Sequence, residues 1–386
     1  VKKEKRKTIW VLAIASFLND FGSDAIYPIW PLFVTTVLGA NVAVLGLIDG
    51  IGDAVSSLSQ AASGYLSDRV RKRKVFVWAG YGMGGLSRIG YALSTAWQHL
   101  IPFRILDRFG KIRGAPRDAI VADASTRANR GRNFGLMRMM DNLGAVCGII
   151  TAILLLGYLG YRNLFLLVSI PSFFGVALII IFIKERKAKG LYKGISFKNL
   201  SPNLLLFLLS SAFLSIGFFS YSFLLVYSWD FGFSAYFVPV LYLVFTVVAM
   251  IMSLPFGKLA DKWNRKGVLV LASVFFILMS LGFIFAQSQA VIILSFVFYG
   301  LHLAARMPVQ TAFVSELSEK KYRASTIGAF QMVVGLCALP ASVIAGLLWI
   351  SFGKAAPFYL SLAATIVSLA LLMLVKENKK GVLGNE

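Results

Sequence analysis

From residue 9 to residue 375 the chain is a nearly unbroken series of apolar stretches, each about 20 residues long and able to cross the hydrocarbon core of a bilayer. Nothing constrains its fold more. In hydrocarbon every backbone N–H and C=O must find its partner within the protein, so stretches of this length are expected to be helices. Twelve can be read, at 9–37, 41–66, 75–95, 98–117, 133–157, 162–184, 203–229, 234–259, 267–287, 290–311, 325–350 and 355–375. The chain is only 15% charged, well below the ~25% of a soluble domain. The first stretch is too long for a cleavable signal peptide and has no evident cleavage site, so it reads as a span.

A net charge of +22 raises the question of nucleic acid. Its distribution answers it. Basic residues fall in alternate loops: Lys2 to Lys7, Arg69 to Lys74, Arg117 to Arg132, Lys184 to Lys198, Lys262 to Lys266, Lys320 to Arg323 and Lys376 to Lys380. The loops between are nearly uncharged. This is the positive-inside pattern of a multi-pass protein of the inner or plasma membrane, with an even number of spans and both termini cytoplasmic. A nucleic-acid surface has no reason to charge every second loop. Cys147 and Cys337 sit inside spans without paired spacing and read as small hydrophobes, so neither a disulfide framework nor a zinc site is expected.

The two halves repeat. Gly64-Tyr-Leu-Ser-Asp68-Arg69 recurs 193 residues later as Gly257-Lys-Leu-Ala-Asp261-Lys262, each followed by a basic cluster that includes Arg73 in the first copy. The same offset carries Arg113 to Arg306, Asp123 to Glu316 and Arg130 to Arg323. Duplication at half the chain length implies an all-α membrane protein of twelve transmembrane helices in two pseudo-symmetric six-helix bundles. These are residues 1–190 and 203–386, joined by a basic linker at 191–202.

The loop motif at Gly64, Asp68 and Arg69 resembles the signature of the major facilitator superfamily, with Arg71 where that family has a second glycine. The resemblance implies two lobes rocking about a central site. It also assigns a gating role to Gly64, Asp68, Arg69 and Arg73 and to their counterparts Gly257, Asp261 and Lys262. On span 4, Arg104 or Arg108 with Gly110 fits loosely a family pattern in which an arginine lies near the proton path. The family's antiporter pattern on span 5 has a glycine-proline pair; Gly144-Ala-Val-Cys-Gly148 has no proline.

Ionisable residues at membrane depth are the second informative feature. Each costs at least about 2.5 kcal/mol at a helix centre if it faces lipid, so each must face water or a partner. Span 1 carries Asn19, Asp20, Asp24 and Tyr27, the last three on one face. Span 2 carries Asp49 and Asp53, which read equally as latch or interlobe groups. Span 3 has Arg88, span 4 has Arg104, Asp107, Arg108 and Lys111, and span 5 has Arg138 and Asp141. Asp107 can reach Arg104 and Lys111, and Asp141 can reach Arg138, so ordinary ion pairing competes evenly with function there. Asp20 and Asp24 have no cation on their own helix. Two carboxylates a turn apart in a low dielectric disfavour each other's charge, which makes proton uptake plausible, as a proton-coupled carrier needs.

The second half differs. Its membrane-depth charges reduce to His302 and Arg306, with Gln331 and many aromatics including Phe207, Phe218, Tyr221, Tyr242 and Tyr299. A lone helical histidine is more often a structural residue than a ligand. An ionic first lobe facing an aromatic second lobe suits an amphipathic organic solute.

The leading reading is a monomeric secondary transporter, not an enzyme, with no cofactor. By resemblance to compact drug-efflux members of the superfamily, it would export a small organic molecule against protons. One alternative is a metal ion or chelate held by Asp20, Asp24 and His302. Another is an organic anion held by Arg88, Arg104, Arg108 and Arg306. No nucleotide-binding loop, histidine-glutamate zinc pair or nucleophile elbow is present in the sequence.

Overall fold

The computed structural model describes the backbone of residues 2–70, 72–125, 130–184, 201–317 and 323–376. Within these, the side chains of 2, 3, 5, 61, 64, 65, 67–70, 122, 130–132, 134, 135, 261, 315, 323–325 and 328 lie outside the description. All described secondary structure is helical.

The first span does not run straight through. Helix α1 (Lys2–Ile26) stops at Tyr27-Pro28 and resumes as the short α2 (Trp30–Leu32) and a π-helical turn, Phe33–Val37. Pro28 lacks an N–H and disfavours helical geometry in the residue before it, so the single helix expected at 9–37 is broken. Asp24 is left in the last turn of α1. Helices α3 (Val42–Val70) and α4 (Lys74–Leu93) follow. The span expected at 98–117 is divided into α5 (Leu100–Phe109), a 3-10 turn (Gly110–Arg113) and α6 (Gly114–Ala124). Gly110 and Gly114, poor helix formers, bracket the 3-10 turn. Helical residues then run from Arg130 to Phe182 (α7) but are broken into two helices by a kink at Gly160, whose φ of 67° is open to glycine at no steric cost.

The second half repeats the first break. Helix α8 (Pro202–Gly217) ends where Phe218 leaves helical geometry, and α9 (Ser222–Asp230) continues the span. Tyr221 is the 193-residue counterpart of Pro28, so the interruption recurs without the proline. Helices α10 (Val238–Lys262), α11 (Arg265–Ile284), α12 (Gln289–Leu317), α13 (Arg323–Leu336), α14 (Ala338–Phe352) and α15 (Ala356–Leu374) complete the described chain. Among the described residues nine segments are long and apolar enough to cross a membrane. One of them, Leu136–Phe182, is 47 residues long and divided by the kink at Gly160, and the charge-bearing helices α4 to α6 are not among the nine, an arrangement consistent with twelve spans. Large apolar side chains such as Leu154, Phe174, Ile181, Leu254 and Leu374 lie exposed. Of the charged groups at membrane depth, Asp49, Arg88, Arg104, Asp107, Arg108, Asp141, His302 and Arg306 are turned inward, as lipid demands, while Arg138 is exposed.

By contacts the chain falls into two compact units. One comprises Val1–Asn41, Ile51–Gly194 and Ala235–Pro239; the other comprises Val42–Gly50, Ile195–Ser234 and Val240–Glu386. In the first, α1 packs most extensively on α7. Gly144 and Gly148 rest against the backbone carbonyls of Phe17 and Phe21, and a Cβ at either position would collide with them. The glycine pair on span 5 therefore brings two helix backbones together, as small residues at this spacing do in membranes. In the second unit α11 packs on α12 and α8 on α15. Its interior is aromatic: Phe207 meets Phe313 at 4.9 Å between ring centroids, and Phe283 stacks on Phe358 at 4.5 Å.

Candidate functional site

The polar face of α1 is the spine of the first unit. Three helices deliver arginines to it.

Arg88, from α4, is 1% exposed. Its Nη2 donates to the Asn19 carbonyl at 3.0 Å, to Asn19 Oδ1 at 3.3 Å and to Ser23 Oγ at 2.7 Å. Its Nη1 donates to Ser172 Oγ on α7. The guanidinium thus ties α1 and α7 to α4 through neutral oxygens. Gly22 makes this possible, since any Cβ there would overlap Arg88 and the Val168 carbonyl.

Asp20 meets Arg113, from the 3-10 turn, at 3.9 Å and accepts from Asn19 Nδ2 at 2.9 Å. Arg113 also donates to the Gly110 carbonyl at 2.9 Å and lies 4.9 Å over the Tyr81 ring. Asp24, one turn on, lies in the field of Asp20, Lys111, Arg88 and Arg108. It makes no hydrogen bond or ion pair to another described residue. Tyr27 accepts from Arg108 Nη1 at 3.1 Å, and the same guanidinium lies 5.0 Å over its ring.

One pairing differs from expectation and another is present but supplemented. Asp107 was expected to reach Arg104 and Lys111; its ion pair is with the adjacent Arg108, Nε to Oδ2 at 3.7 Å. Arg104 turns instead to Trp30, its guanidinium 4.6 Å over the indole. That ring lies just past the break at Pro28. Asp141 meets Arg138 as the spacing allows, at 3.9 Å, though Arg138 is 77% exposed. Its nearer partners are Ser16, whose Oγ donates at 2.5 Å, and Arg117 Nη1 at 3.4 Å. The Ser16 hydroxyl in turn accepts from Arg117 at 2.6 Å and from the Tyr81 hydroxyl at 3.2 Å. Arg117, counted from sequence in a basic loop, is helical and its side chain only 13% exposed. Ser16, Tyr81, Arg113 and Arg117 were not singled out as site residues. The one available signal was the i, i+4 spacing of Arg113 and Arg117 beyond Lys111.

The side chains of the loop-motif residues Gly64, Asp68, Arg69 and Asp261 lie outside the described residues. Arg73 is described: its Nη1 meets Asp123 on α6 at 2.8 Å. The second unit has the equivalent, Arg265 with Glu316. Gly257 faces open space and Lys262 is exposed. Asp49 lies in the Val42–Gly50 segment of the second unit, buried, and accepts from Ser220 Oγ at 2.7 Å and Ser222 Oγ at 2.5 Å.

In the second unit His302 is fully buried, with Nδ1 2.8 Å from the Ala272 carbonyl and its ring 4.6 Å from that of Phe276. A carbonyl only accepts, so Nδ1 carries the proton and Nε2 is an acceptor. Arg306 donates to Gln310 Oε1 at 3.2 Å and to Ser215 Oγ at 3.4 Å, and lies 4.9 Å over Phe218. Gln331 is exposed on α13. No group of three or more His, Cys, Asp or Glu gathers among the described residues.

Comparison with known proteins places this geometry. The family model described as Major Facilitator Superfamily matches residues 12–301 and 205–384. An uncharacterised MFS-type transporter of Methanocaldococcus jannaschii is 36% identical over 383 residues, covering 96% of each chain. The multi-drug resistance efflux pump PmrA of Streptococcus pneumoniae is 27% identical over 347 residues, covering 82% of each. A mutant of the nucleoside transporter NupG superposes with a TM-score of 0.78 at 14% identity, covering 96% of this chain and all of that one.

Proposed function

The chain belongs to the Major Facilitator Superfamily and is a multi-pass membrane transporter of a small molecule rather than an enzyme, and from that premise we propose proton-coupled export of an amphipathic organic solute by alternating access. The observation that carries the coupling is Asp24. Every other carboxylate on the arginine-lined face is ion-paired: Asp20 with Arg113, Asp107 with Arg108, Asp141 with Arg117. Asp24 alone among them is held by no direct partner, at the end of a broken helix, within reach of four charges that a proton would reset. A carboxylate so placed exchanges a proton without first dismantling a salt bridge. The discontinuity of spans 1 and 7 at equivalent positions supports alternating access, since transporters build their sites from interrupted helices at the repeat axis. The likeness to PmrA, a multi-drug resistance efflux pump, supports export. On this reading the Arg73–Asp123 and Arg265–Glu316 pairs brace the two gating loops at the cytoplasmic face.

The test is solute-driven proton movement in inside-out vesicles, read with a pH dye. Asp24→Asn is expected to abolish it. Proton movement that persists unchanged in Asp24→Asn overturns the coupling assignment, and hydrolysis of the solute without flux overturns transport.

A further inference from the structure

Superposing the repeat on the ion pairs exposes an imbalance. In the first unit Arg113 pairs with Asp20 and Arg117 with Asp141, so two cations meet two acids. At the 193-residue offset their counterparts are Arg306 for Arg113, Phe213 for Asp20, Gln310 for Arg117 and Val334 for Asp141. Both acids have become apolar and one arginine has become neutral. The remaining arginine has been kept.

Arg306 is 6% exposed and sits on a membrane-crossing helix. Its described contacts are a neutral amide, a hydroxyl and an aromatic face, with no carboxylate among them. A buried guanidinium in this setting is costly until an anion completes it. Beside it lies a small, partly open cavity in the second unit, lined by Ser210 and Ser211 of α8, Ser273 of α11, Arg306 and Gln310 of α12, and Ser368 of α15. No acidic side chain lines it. Because Gln310 Oε1 already accepts from Arg306, the amide turns its NH2 outward as a further donor. Phe207 and Leu214 supply apolar wall beside these donors.

We propose that Arg306, with Gln310 and the serines around it, is the docking point for a carboxylate on the transported solute, whose negative charge replaces the acid this half of the molecule has lost. A planar guanidinium pairs with a carboxylate through parallel N–H···O bonds, and the flanking donors orient the second oxygen. The substrate class is then an amphipathic organic acid. This inference rests on the transport reading above for its physiological meaning but not for its test.

The full chain in detergent is titrated with sodium benzoate, with benzamide as the neutral isostere and chloride as the inorganic arm, at constant ionic strength, following thermal unfolding. Benzoate is expected to stabilise saturably and benzamide not at all. Arg306→Met is expected to weaken the benzoate response about tenfold or more, as loss of a charge-assisted bond implies, and Arg306→Lys to retain part of it. Ser215→Asp keeps Arg306 but sets a carboxylate beside it, and is expected to abolish the response in a folded protein. An equal benzoate response in Arg306→Met or Ser215→Asp overturns the proposal. So does a response to chloride that benzoate does not exceed. Binding in detergent needs no gradient: a carboxylate response without solute-driven proton movement overturns the proton-coupling reading alone, and proton movement without a carboxylate response overturns this site alone.

Discussion

The Asp141 carboxylate lies 3.4 Å from Arg117 Nη1, and the two share one hydroxyl, that of Ser16, which donates to the acid and accepts from the arginine. Both side chains are nearly excluded from solvent, so the pair is little screened by water. Arg117 also meets Asp118 at 3.3 Å and Asp141 also meets Arg138 at 3.9 Å, so Asp141→Asn or Arg117→Met alone is expected to cost about 1–3 kcal/mol, the secondary partner covering part of the charge left behind. The double variant should recover part of that loss, which chemical unfolding in detergent would measure. Simple additivity of the two single effects would mean that they do not interact as described.

Asp20 and Asp24 are separable. Asp24→Asn removes a group with no direct partner and should leave the melting temperature close to that of the wild type while proton movement is lost. Asp20→Asn leaves Arg113 without its acid and should lower stability as well. Thermal unfolding and the vesicle proton assay, run on both variants, check this. Equal destabilisation by the two would contradict it.

Gly22 and Gly257 give opposite expectations for the same change. Gly22→Ala drives a methyl group into Arg88 and the Val168 carbonyl, and is expected to reduce folded yield severely. At Gly257 nothing lies within 4 Å of a new Cβ, and alanine there should be neutral or stabilising by up to about 1 kcal/mol through helix propensity. The comparison is made by detergent size exclusion and melting.

Arg73 and Asp123 should behave as a conformational brace. With Asp123 57% exposed, breaking the pair by Asp123→Asn is expected to change stability by no more than about 1 kcal/mol. If the pair holds the gating loop, solute flux should nevertheless fall, and Glu316→Gln should reproduce the effect in the other repeat. Unaltered flux in both variants would assign these pairs to surface electrostatics.

Much of the candidate site is legible as a list of residues and little of it as a set of pairs. Asp20, Asp24, Arg88, Arg104, Asp107, Arg108 and Asp141 stand out because charge in an apolar stretch is conspicuous. Their partners do not. Ser16 is an ordinary residue in a helix, and Arg117 reads as loop because it adjoins a basic run. Arg104 meets Trp30 just past the break at Pro28, and that break is local chemistry visible in the sequence but unremarked beside the long apolar run around it.

Hydropathy, loop charge and the 193-residue repeat by themselves point to a helical, two-part membrane protein, and the loop motif adds the resemblance to a superfamily. These are properties of single residues and of spacing, and the bilayer reads them residue by residue. Tertiary structure alone decides that Asp141 belongs to Arg117, that Asp20 belongs to Arg113 and that Arg306 has kept its charge without an acid. Such pairings join positions dozens of residues apart or more, and they depend on how each helix is rotated and broken against its neighbours. The cost of a lone charge at membrane depth guarantees that partners exist; only packing says which.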